Sequence, residues 1–167
     1  HDSRAYRVLH EGLAENALSD LNSGWGDELD MGDPTTLRDF LTWATTTYPA
    51  QERILVIWNH GDGFKRVAED EESYLTVPEI EGALAEYRDT TGHGPLTLIG
   101  FDACLMGMFE IAYELREHAA YVHGSEAYEP QEGWTYNHLL PLLDAETTRE
   151  QMLEAVVHTY IESYRNG

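Results

Sequence analysis

Two apolar runs along the chain end abruptly in polar residues. Ile54 to Gly63 reads ILVIWNHGDG, and Leu96 to Gly107 reads LTLIGFDACLMG. Unbroken runs rich in Ile, Leu and Val suit strands of a parallel sheet covered on both faces, where alternation is not required. Between them, VPEIEGALAEYRDTTG sets Ile80, Leu84 and Tyr87 or Arg88 at helical spacing before Gly92 offers a stop. Strand, helix and strand form a βαβ unit, whose strands run parallel through a right-handed crossover. His60 and Cys104 then leave the sheet at the same carboxyl edge, where open α/β sheets bind ligands.

The remaining pattern supplies flanking elements. Ala5 to His10 is a short strand, and Gly12 to Asp33 a polar, Gly-rich connection. Asp33-Pro34 starts a helix by capping. Its buried stripe is Leu37, Phe40, Leu41 and Ala44, and Tyr48-Pro49 stops it. Trp58, inside the first apolar run, reads as core. GDGFKRVAEDEESY reads as a surface loop, Ala119 to Ser125 as a third strand, and EAYEPQEGWTY as a loop broken by Pro130 and Gly133. Met152, Leu153, Val156, Tyr160 and Ile161 mark an amphipathic helix over 147–164. No repeat or linker divides the chain, so residues 1–167 read as one domain.

Cys104 opens a segment in which Leu105, Met108, Phe109, Ala112, Tyr113 and Leu115 follow helical spacing, so its sulfur is expected at a helix N-terminus. The partial positive charge there favours thiolate. His60, on the neighbouring strand, is the expected proton shuttle. The N–H groups of Gly61 and Cys104 are the candidate oxyanion hole. A single cysteine permits no internal disulfide and no cysteine-based metal site. His10, His93, His118, His123, His138 and His158 match no such phrase and read as surface or packing residues.

The pairing of WNHGDGF with FDACLMG, followed by GSEAYEPQEGWTY, resembles the clostripain family of cysteine peptidases, relatives of caspases, gingipains and legumains. The likeness runs from Leu29 to Tyr136. It implies an α/β caspase-like sandwich with a mostly parallel central sheet flanked by helices. It also implies a catalytic dyad of His60 and Cys104. The family's His is often followed by Gly-Gly-Gly, whereas Asp62 here adds negative charge beside the dyad. The usual element order suggests a further N-terminal strand and helix before His1, so the chain reads as a fragment of a longer protein, incomplete at its N-terminus.

Composition narrows the substrate. The chain has 167 residues and a net charge of −21. So acidic a surface argues against nucleic-acid and anionic-membrane partners and favours cationic ligands. No run reaches the about 18 apolar residues of a membrane span. Asp102, two residues before Cys104, suits a pocket for a guanidinium or ammonium group, and it also suits a helix cap. The resemblance implies cleavage after Arg or Lys, with Asp102 binding the basic side chain. Glu132 is the first choice for a second acid, ahead of Glu126 and Glu129, and Trp134 is a candidate pocket wall.

Relatives are often activated by a cut between the catalytic His and Cys, which makes Lys65-Arg66 a candidate self-cleavage site. They also respond to calcium, for which acid-rich loops carry oxygen ligands, although the dyad chemistry requires no cofactor. The family's habit of export implies a bacterial secreted or periplasmic protein. Two other readings stay open: an inactive caspase-like module that binds basic peptides, and a metal-dependent hydrolase using His60, Asp62 and Asp102, for which no paired-His spacing speaks.

Overall fold

A computed structural model of the chain describes residues 3–9 and 12–165. Its elements group into two compact units, residues 1–127 and residues 128–167.

The first unit begins with an antiparallel hairpin of β1 (Ala5–Leu9) and β2 (Gly12–Asn16). The expected strand is thus present, but the first five residues of the expected connection form its partner. His10, the last residue of the expected first strand, lies outside the described residues. A short helix α1 (Leu18–Leu21) follows, then α2 (Pro34–Thr47), with Asp33 accepting the Thr35 N–H at 2.7 Å and Pro34 in its first turn. After β3 (Ile54–Trp58) come β4 (Val67–Asp70) and β5 (Ser73–Leu75), paired antiparallel where the sequence read as loop. Helix α3 (Val77–Thr91) starts in a capping box of Thr76 and Glu79 and ends at Gly92, whose φ of 71° is left-handed. Then follow β6 (Leu96–Asp102), α4 (Phe109–Glu114) and β7 (Ala119–His123).

The sheet has the order β3-β6-β7, and both pairings are parallel. The βαβ unit is therefore as the apolar runs predict. All seven residues of β6 are buried, which explains why its sequence does not alternate. Leu55 and Ile57 of β3 share one core with Leu41 of α2, Ile80, Leu84 and Tyr87 of α3, and Ile99 and Phe101 of β6.

Trp58 is not core. Among the described residues β3 pairs only with β6, and Ile54 and Trp58 lie on the face opposite Leu55 and Ile57. They are 43% and 65% exposed. An edge strand with one uncovered face leaves its apolar side chains in water, whatever its sequence suggests.

The second unit holds α5 (Tyr136–Leu139), a 3-10 turn over Leu140–Leu142, and α6 (Arg149–Tyr164), which starts in a capping box of Thr148 and Gln151. The Tyr164 hydroxyl donates to the Gly133 carbonyl at 2.7 Å. Met152 and Val156 of α6 are buried, while Ile161 is half exposed.

Candidate active site

The parallel register brings β3 and β6 to an end side by side. Trp58 stands opposite Asp102 at the last rung of the β3–β6 ladder. His60 is two residues past the first, and Cys104 two past the second. The ladder continues one step beyond β3, because the Asn59 N–H donates to the Asp102 carbonyl at 3.4 Å. The His60 N–H then donates to the Asn59 side-chain oxygen at 2.6 Å, which turns the chain at the strand end.

Close backbone contact joins the two turns. A Cβ on Gly61 would stand 2.3 Å from the Cys104 carbonyl oxygen, 3.0 Å from Met106 Cγ and 3.2 Å from Ala103 Cβ. Only a residue without a side chain lets the His60 loop press this closely on the backbone of Cys104. Gly63, at φ 61°, repeats the contact one step on, against the Met108 side chain.

The Cys104 turn is also held from its other side. Leu105 N–H donates to Ala127 C=O at 3.0 Å, and Gly107 N–H to Ser125 C=O at 2.8 Å. Gly107 and Gly124 meet backbone to backbone, with a Cβ on Gly107 falling 2.5 Å from the Gly124 oxygen. These glycines were not singled out by the sequence pattern. Their signal is positional, since each follows the carboxyl end of a strand of the parallel sheet.

The expected helix N-terminus at Cys104 is corrected by these contacts. Helix α4 begins only at Phe109, and Cys104 lies in a turn. Leu105 takes a left-handed φ of 62°, which no helix continues through. Cys104 therefore does not stand at a helix N-terminus, and no helix dipole acts on it there.

Cys104 is partly buried, His60 is exposed and Asp102 is only 2% exposed. Asp102 thus ends a wholly buried strand as a carboxylate, a costly burial that demands compensating contacts. The alternative role as a cap for a helix beginning at Cys104 falls with that helix. Asp62, the departure beside His60, is met by Lys65 Nζ at 3.6 Å and Arg66 Nε at 3.9 Å. Lys65 and Arg66 lie in the turn between Gly61 and β4. Glu132 and Trp134 belong to the second unit, Glu132 exposed on a loop and Trp134 buried beside Tyr136, with ring centroids 6.2 Å apart.

Among the described residues no group of three or more His, Cys, Asp or Glu side chains is arranged to hold a metal ion. In one acid-rich hollow, Asp70 accepts the Met31 N–H at 2.8 Å, and Asp30 accepts the Gly32 N–H at 2.8 Å and the Ser73 hydroxyl. These oxygens already serve the chain itself. No described helix is long and apolar enough to cross a membrane.

Known proteins share this fold. The clostripain family model matches residues 4–167. Clostripain of Hathewaya histolytica is 27% identical over 136 residues, 69% of this chain and 25% of that protein. A secreted C11 cysteine protease of Bacteroides thetaiotaomicron, solved with an irreversible peptide inhibitor, superposes with a TM-score of 0.74 at 22% identity. That match covers 98% of this chain and 45% of the other. An inactive zymogen C11 protease of Parabacteroides distasonis gives 0.70 at 20% identity, covering 96% and 43%. The chain thus spans a quarter to a half of the length of these relatives, and the fold is the α/β, caspase-like one. By the match along nearly its whole length, the chain belongs to the clostripain family.

Proposed function

We propose that this chain carries the catalytic elements of a cysteine endopeptidase that cleaves after Arg or Lys. The observation that supports this most is the packing of Gly61 on the Cys104 carbonyl, at the matching ends of two parallel strands. It brings a histidine loop and a cysteine turn together at the sheet edge.

Cys104 thiolate attacks the scissile carbonyl carbon and forms a tetrahedral adduct. The Gly61 and Cys104 N–H groups stabilise the developing oxyanion. His60 delivers its proton to the leaving amine, which departs and leaves a thioester. The neutral imidazole then takes a proton from water, which attacks the thioester and releases the acid and the thiolate. No step needs a metal.

Asp102 is the acid for the basic side chain, as a buried carboxylate two residues before the nucleophile, and the net charge of −21 favours cationic substrates at longer range. Glu132 and Trp134 are the further pocket candidates. Export from a bacterial cell fits a relative described as secreted. The further strand and helix expected ahead of this chain fit the unpaired edge of β3 and the uncovered face that carries Ile54 and Trp58.

The test is hydrolysis of matched fluorogenic peptides ending in Arg, Lys, Asp or Leu by the wild type, Cys104→Ala and Asp102→Asn. Cleavage of the Arg and Lys peptides, abolished by the first change and weakened by the second, is expected. Cleavage at Leu or Asp instead refutes the pocket, and activity surviving Cys104→Ala refutes the nucleophile.

A further inference from the structure

The two members of the Lys65-Arg66 pair have different surroundings. Lys65 has a side chain 64% exposed and meets Asp62 at 3.6 Å. Arg66 is tied more widely. Its carbonyl accepts the Asp62 N–H at 2.9 Å, and its Nε stands 3.9 Å from Asp62 Oδ2. Its Nη1 stands 3.8 Å from Glu69 Oε2, and its guanidinium carbon lies 5.5 Å from the centre of the Tyr74 ring.

These contacts join the loop after His60 to both strands of the β4–β5 hairpin, since Glu69 lies on β4 and Tyr74 on β5. The next residue, Val67, is 1% exposed, pairs with Leu75 and bridges Gly61. His60, Gly61, Asp62, Arg66, Val67 and Glu69 line one small recess of about 60 Å³. Arg66 therefore sits where a buried anchor meets the loop that bears His60.

Resting on the peptidase reading above, we propose that Arg66 is a positioning residue for His60. Its guanidinium lies between the Asp62 and Glu69 carboxylates and over the Tyr74 ring, and these weak contacts together tie the loop to the hairpin, which a single ammonium point charge does not reproduce. It also keeps the Asp62 carboxylate, two residues from His60, drawn towards the hairpin. Lys65, from the same turn, is a further charged group at this loop.

The same geometry distinguishes the pair as a processing site. Lys65 N–H donates to Asp62 C=O at 3.4 Å, and Arg66 C=O accepts the Asp62 N–H, so the Lys65–Arg66 peptide lies in a closed turn. That turn must open before the segment can enter a cleft as an extended strand. A cut after Lys65 would sever the turn that holds Arg66 to Asp62, so cutting there loosens the His60 loop instead of building it.

The experiment measures kcat and KM on an Arg-terminated fluorogenic peptide, with intact mass and thermal unfolding, for wild type, Cys104→Ala, Lys65→Gln, Arg66→Gln and Arg66→Lys. Expected for Arg66→Gln is a kcat about five- to tenfold lower with KM within about twofold. Arg66→Lys falls between it and the wild type, and Lys65→Gln matches the wild type. Should Arg66→Gln misfold, Glu69→Gln cuts the tie to β4 alone and is expected to lower kcat about twofold. An unchanged kcat in Arg66→Gln, or in Glu69→Gln where that variant is needed, overturns the proposal. So does joint loss of activity in the Lys65 and Arg66 variants whose chains stay uncut while the wild type is cut, which assigns the pair to processing. A wild type without Cys104-dependent cleavage refutes the peptidase reading and the proposal with it. An active wild type with an unaffected Arg66→Gln refutes the proposal alone.

Discussion

Gly61 and Cys104 touch through their backbones, and a methyl group on Gly61 would stand 2.3 Å from the Cys104 oxygen. The obstacle is main chain, which cannot rotate away as a side-chain end can. Gly61→Ala is therefore expected to displace the His60 loop and lower kcat on a basic peptide about a hundredfold. Its cost in stability is expected at about 1–3 kcal/mol. Gly82→Ala in α3, where a Cβ meets nothing within 4 Å, is the control. It should leave activity intact and stabilise the fold by about 0.5–1 kcal/mol. Kinetics and thermal unfolding of both variants check this.

His123 closes β7 beside Gly100 of β6, and burial holds its pKa below the ordinary 6.5. The folded state thus binds a proton less readily than the unfolded one. Its contribution to stability is full above the unfolded value near 6.5, and it is lost as pH falls below that value through the depressed folded one. Thermal midpoints between about pH 7.5 and 5 should fall more steeply for the wild type than for His123→Gln, which carries no titrating ring. Parallel slopes would contradict this.

Trp58 is 65% exposed, whereas Phe101 on the neighbouring strand is fully buried. In this chain Trp58→Ser should change unfolding free energy by no more than about 0.5 kcal/mol, and Phe101→Ala should cost about 3–5 kcal/mol. Denaturant titration of the two variants measures the difference directly.

Trp58 also marks how far the sequence could be read. The βαβ unit was legible because β6 is covered on both faces, so its composition and its environment agree. Helix α2 was legible from Asp33-Pro34, a local signal that the fold uses as written. Trp58 has the same apolar character as its neighbours, but exposure depends on what covers a sheet edge, which no local pattern records. The β4–β5 hairpin was missed because VAEDEESYL is mostly polar, and Ala68 and Glu71 take positive φ of 56° and 48°. At Cys104 the helical spacing of Leu105 and Met108 was real, yet the contacts of Gly61 with Cys104 and of Gly107 with Gly124 outweigh it. The positions of His60 and Cys104 past two neighbouring strand ends were legible because each phrase closes an apolar run. The pairing of Arg66 with Glu69 and Tyr74 was not, because it depends on a hairpin the sequence did not announce.

On the proposed function, Cys104 is a nucleophile activated by His60 and served by an acidic pocket. The most direct measurement of this is the rate of covalent labelling by a peptide with an Arg side chain and a thiol-reactive ketone, mapped by peptide mass, in wild type and His60→Gln. A single adduct on Cys104 is predicted, slowed about a hundredfold or more in His60→Gln. It should be outcompeted by an Arg-ended peptide and not by a Leu-ended one. Labelling at equal rates in both proteins, or no adduct on Cys104 in the wild type, would contradict the account.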